Sequence, residues 1–230
     1  MHCGCNRKKR SGGGGLTREQ FLPHEMRIVA GLRTQGVSDE QVIVRVKSEN
    51  LFQYPTERMV ANRATVCLRR LDAMVPTDAA CAARGIDPKT AVEAALSLTG
   101  LMASGTPTQA DQAIFYSMIC RYDIVREFVL VEVGERLQNF DYAFTAADLN
   151  AFMTRFTTEY PDAARWTEAT VKRIKGSIRQ TLRHAGLIGE GMGPESERLS
   201  PLFLDSDVER ALVQLGEQPL IAALTGREVM

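Results

Sequence analysis

Apolar positions recur at helical spacing almost from end to end of this chain, and polar residues fill the intervals. Residues 16–34 read as a first helix, with Phe21, Leu22, Ile28, Val29 and Leu32 apolar and Pro23 in its first turn. Ser38 and Gln41 form a capping-box signature, S-D-E-Q, that opens a second helix through Val42 and Val46 to about Glu49. Pro55-Thr56 starts a third, to about Met74, with Met59, Val60, Ala64, Cys67, Leu68 and Leu71 apolar and Arg58, Arg63, Arg69 and Arg70 on its other faces. Residues 90–103 are a helix of small and apolar residues. Residues 108–139 are the longest helical run, apolar on nearly every side and interrupted near Tyr122-Asp123, which places it in a core. The β-branched stretch 129–133 invites a strand, but its charged flanks favour helix. The last segment, 206–224, reads as one amphipathic helix kinked at Pro219.

Between these, residues 145–160 form a helix ending at Pro161, and residues 166–185 a second one. Thr167 is its cap. Val171, Ile174, Ile178, Leu182 and Ala185 share one face, while Lys172, Lys175, Arg179 and Arg183 keep the same spacing about a quarter-turn round, with Arg173 beyond them. After Glu168 this helix has no acid, and Gly186 ends it. Leu187-Ile188 and the run 199–204, on either side of G-E-G-M-G-P-E-S-E, read as a two-stranded wing. Helix, turn, basic helix and hairpin make a winged helix-turn-helix pattern, whose apolar face docks on a core and whose basic face suits phosphates or base edges. The plainer reading is a solvated basic face.

The chain has 230 residues and a formal net charge of zero, so overall charge announces no polyanion partner. The distribution is uneven. Residues 7–10 and the 166–185 helix are basic, whereas residues 190–230 are mostly acidic. The five cysteines form an odd set without framework spacing, and Cys67, Cys81 and Cys120 read as buried thiols in a reducing compartment. No apolar run reaches membrane-spanning length and no secretory leader is visible, so the cytoplasm is expected. Residues 1–15, basic and glycine-rich, read as a disordered tail, in which His2, Cys3 and Cys5 make only a weak metal signature.

Catalytic constellations are missing from the sequence. The three histidines are far apart, and no nucleophile elbow, phosphate-binding loop, dinucleotide fingerprint or zincin motif occurs. His184 ends the basic helix, where it suits the helix dipole better than a role as base. These absences move the weight to a binding module without a cofactor or small-molecule substrate.

Five blocks, in order, resemble the BrxA family of bacteriophage-exclusion (BREX) proteins: E-M-R-I-V-A-G-L-R-T-Q-G-V-S-D-E-Q-V; E-N-L-F-Q-Y-P-T-E-R-M-V-A-N-R; Y-D-I-V-R-E-F-V-L-V-E-V-G-E-R-L; W-T-E-A-T-V-K-R-I-K-G-S-I-R-Q-T-L-R-H-A-G-L-I; and L-S-P-L-F-L-D-S-D-V. The likeness runs from about Phe21 to Leu224. It implies a helical, non-catalytic, DNA-binding protein of a phage-defence operon, with a fold similar to the antitermination factor NusB. It carries a DNA-contacting role onto Lys172, Arg173, Lys175, Arg179 and Arg183, and also onto Arg58 and Arg63.

The expectation is therefore a mainly α protein: a tail (1–15), an N-terminal trihelical, helix-turn-helix-like unit (16–76), a central helical core (77–140) and a C-terminal winged-helix-like unit with a small β-hairpin and a closing helix (141–230). Its expected partners are double-stranded DNA and other phage-defence proteins. In this reading Lys172, Lys175, Arg179 and Arg183 hold phosphates and Arg173 reaches a base edge. Two other readings stay open. One is an adaptor for larger defence enzymes, sharing its apolar 114–133 helix. The other is RNA binding by analogy with NusB.

Overall fold

The computed structural model describes residues 13–17, 19–189 and 197–227, and it is mainly helical with a small three-stranded antiparallel sheet. The chain divides into two compact units: Leu22–Arg121 with Asp205–Gly216, and the described residues of Ser11–Phe21, Tyr122–Leu204 and Glu217–Met230.

In the first unit, α1 (Pro23–Thr34) begins later than the pattern predicts. Leu22 lies in the left-handed region at φ 57°, and Pro23 opens the helix. A residue before proline is pushed out of the helical region and proline has no N–H to continue a helix upstream, so α1 cannot extend back through Leu22. Ser38 and Gln41 do form the capping box of α2 (Asp39–Ser48), and Thr56 caps α3 (Glu57–Met74). Arg70 departs from its expected exposed face, because its side chain is fully buried in α3. Next come α4 (Asp78–Arg84), α5 (Pro88–Ser104) and α6 (Pro107–Arg121). Gln112 to Cys120 are all buried, since α1, α3, α5 and α11 (Ser206–Gln214) surround α6. The carboxylate of Asp205, which caps α11, accepts from the Gln109 side chain at 3.1 Å. Its backbone N–H donates to Gln112 at 2.9 Å.

In the second unit the helical run resumes as α7 (Asp123–Glu127) after Tyr122, which is extended, as the expected interruption requires. The run 129–133 is indeed not a strand. It lies in a π-helical turn (Phe128–Val133), which leads into α8 (Gly134–Gln138). Against these pack the residues of α12 (Gln218–Thr225), with Gly134 close to Ala223. The single kinked helix expected over 206–224 is two helices in two units. Gly216 at φ 68° ends α11, and Pro219 sits in the first turn of α12, where proline starts a helix and does not bend one. Gly13 to Thr17, partly assigned to the tail, include buried Gly13 and Leu16, packed by Ile124, Trp166 and neighbouring residues. The absent side chain of Gly13, at φ 121°, makes that passage possible.

Candidate nucleic-acid interface

Four elements place the basic helix. β1 (Ala143–Phe144) precedes α9 (Ala146–Glu159), residues 160–167 with a single 3-10 turn at Ala163–Arg165 lead to α10 (Glu168–His184), and β2 (Ile188–Gly189) and β3 (Glu197–Leu199) follow. Thr145 and Asp148 form the capping box of α9. The turn is fixed by ring packing: Tyr160 stacks on Phe156 at 4.1 Å, and Trp166 lies over the same ring at 6.0 Å. Thr167 accepts from the Thr170 N–H at 3.2 Å and caps α10.

The hairpin pairs Ile188 with Leu199 and Gly189 with Arg198. β1 adds a third strand, with Ala143 opposite Arg198 and Phe144 opposite Glu197, so the order is β1-β3-β2. The sequence reading has only the two strands, since a two-residue strand leaves no periodic trace. It also runs the second strand to Leu204. The strand stops at Leu199, and Leu202 N–H is instead taken by the Leu224 carbonyl of α12 at 2.8 Å. Arg136 braces the base of the sheet, bonding Asp141 at 2.6 Å, the Ala143 carbonyl at 2.9 Å and Asp148 at 2.5 Å. The glycine-rich tip, residues 190–196, lies outside the described residues, as do His2, Cys3 and Cys5.

α10 turns Ile174, Ile178, Thr181, Leu182 and Ala185 inward, while Val171 is only half-buried. The five cations do not share one fate. Lys172 and Arg173 are exposed, and neither has an ion-pair partner among the described residues. Lys175 donates to Asn150 of α9 at 2.7 Å. Arg179 lies 2.6 Å from the carboxylate of Glu197 in β3, and Arg183 pairs with the other oxygen of the same group. One hairpin acid thus holds two of the helix cations, although Arg183 remains 60% exposed. His184 stacks on Phe21 with ring centres 4.9 Å apart. Arg58 and Arg63 belong to the other unit. Arg58 is exposed at the start of α3, whereas Arg63 is half-buried and close enough to Tyr54 and Cys67 to act on both electrostatically.

Among the described residues, no three His, Cys, Asp or Glu side chains come together as a metal site, and no helix is long and apolar enough to cross a membrane.

A solved structure of an uncharacterized protein from Magnetospirillum magneticum has the same fold, at TM-score 0.71 and 18% identity over 95% of this chain and 100% of that one. The chain is 21% identical over 213 residues to the BREX protein BrxA of Paramagnetospirillum magneticum, covering 93% of each. It is also 21% identical over 127 residues to the BREX protein BrxA of Escherichia coli O9:H4, an alignment that spans 55% of this chain and 58% of that relative. A family model described as BrxA matches residues 14–216. The chain belongs to the BrxA family.

Proposed function

We propose that the protein is a non-catalytic DNA-binding subunit of a BREX-type phage-defence system, acting in the cytoplasm, and that α10 is the element that meets duplex DNA. The observation that carries this reading is the order of elements around α10. A strand, two helices joined by an eight-residue connection, and a hairpin whose second strand lies in the middle of the sheet and pairs back to the first strand, are the parts of a winged helix-turn-helix. The second helix of that pair has its apolar side docked and exposed cations at its N-terminal half, where recognition helices reach base edges. Lys172 supplies a phosphate contact and Arg173 a base-edge contact. Lys175, Arg179 and Arg183 are phosphate ligands that DNA must share with Asn150 and Glu197. Arg58 and, less exposed, Arg63 of α3 are further cations for the backbone.

The test is fluorescence anisotropy on a labelled mixed-sequence duplex at low and near-physiological salt. Affinity is expected to fall steeply with salt. Lys172→Ala is expected to lower the slope of log K against log salt by about one. Absence of binding at low salt by the folded wild type would remove the proposal.

A second reading, an adaptor between larger defence proteins, draws on Phe140 and Phe203, which are 77% and 90% exposed. It no longer draws on the 114–133 helix, because Ile114 to Cys120 are buried. Co-purification with partner subunits that survives nuclease and high salt would favour it.

A further inference from the structure

Gly176 lies in the middle of α10 on the side opposite Ile178, and it is exposed. A Cβ built there meets nothing within 4 Å. Glycine inside a helix is destabilising relative to alanine, because its unfolded backbone is freer. Gly134 in α8 has an internal reason for its missing side chain: an added Cβ would come 3.0 Å from Ala223 Cβ. Gly31 and Gly100 are open too, but both are half-covered, on α1 and α5, which pack on one another. Gly176 has no such setting. It stands at the crown of the outward face, with Arg173 one turn before it and Gln180 one turn after, both exposed.

The chemistry of that face selects its occupant. Lys172 and Arg183 run along one edge of the crown, and no acid follows Glu168 on the helix, so the partner is anionic. A guanidinium and a carboxamide are the two side chains that bond bidentately to guanine and adenine edges in the major groove. A glycine between them removes the one side chain that would hold the helix off the groove floor. We infer that Arg173 and Gln180 read base edges on either side of Gly176, which permits close approach of the helix to duplex DNA. This inference rests on the DNA-binding reading above. With a rise of about 1.5 Å per residue, the two side chains start about 10 Å apart along the axis, about three base-pair steps. The site read by α10 then contains a guanine and an adenine at about that separation.

The experiment is selection from a randomised duplex library with the full-length protein, followed by anisotropy on the enriched and a scrambled duplex. Enrichment of a guanine and an adenine about three steps apart is expected. Arg173→Ala should erase the preference at the guanine and Gln180→Ala that at the adenine, while Lys172→Ala weakens both duplexes alike. Gly176→Ala should raise Tm by about 2–4 °C while weakening the enriched duplex about tenfold and the scrambled one little. The opposite signs separate loss of a binding surface from loss of folding. Binding without any sequence preference, or Gly176→Ala binding the enriched duplex as tightly as wild type, overturns this inference and leaves DNA binding standing. A wild type that binds no duplex overturns both.

Discussion

Tyr54 illustrates how much a single hydroxyl can govern. It donates to Glu25, a buried carboxylate on α1. Burial first, and then this bond, push the phenol up to about 12. In the unfolded chain a tyrosine ionises near about pH 10. The bond's contribution to stability is therefore whole below about pH 10 and lost as pH rises towards about 12, because the unfolded chain gives up its proton first. Melting curves across that window should show a steeper alkaline fall in Tm for the wild type than for Tyr54→Phe. Parallel curves would mean that Tyr54 does not titrate differently on folding. No sequence pattern points to this pair, since Tyr54 sits in a turn and Glu25 reads as an ordinary first-turn acid. Arg70 was equally illegible: helical periodicity marks where a side chain starts, and only packing decides that a guanidinium ends inside.

At the scale of elements, sequence punctuation was reliable where it acts locally. The Ser38/Gln41 and Thr167 caps and the break at Tyr122 all lie where their chemistry placed them. Gly216 was the missed stop. At φ 68° a side chain is strained, and an added Cβ would come 3.1 Å from Arg84 Cβ, which would have to give way. Gly216→Ala is expected to lower stability by about 1–2 kcal/mol in urea unfolding, and a neutral result would mean that the turn relaxes. The Glu197 clamp was invisible for another reason. An acid of the hairpin meets Arg179 and Arg183 only once β3 has paired with both β1 and β2. Glu197→Gln should free both arginines, tighten binding to a mixed-sequence duplex at low salt and steepen the salt slope by about one to two. Unchanged binding would place these two residues outside the DNA surface.

At the scale of the molecule, the exchange of segments between units is the dominant fact. α11 completes the first unit and α12 the second, although three residues separate them in the chain. In the second unit Glu217 is 2% exposed and is gripped by the two terminal guanidinium nitrogens of Arg126, at 2.7 and 3.1 Å. α12 also buries Leu220, Ile221, Ala222, Ala223 and Leu224. Deleting residues 217–230 removes that grip and that surface together, leaving Arg126 without a charge partner in Glu217. The lone tryptophan, Trp166, belongs to the second unit and reports on it alone. The truncated chain should show red-shifted tryptophan emission while much of its helical dichroism persists. Native emission would mean that α12 is dispensable.

By itself the sequence determined most of the helical segments, the Ser38/Gln41 and Thr167 caps, the docked face of α10 and the family blocks, because each is written in residues a few positions apart. Tertiary structure alone decided that a third strand completes the sheet and that the C-terminal run is shared between two units. It also decided that one hairpin carboxylate covers two of the five cations of α10, leaving Lys172 and Arg173 open. These features depend on groups brought together across long stretches of chain, where spacing carries no signal and only burial and charge pairing choose the partner.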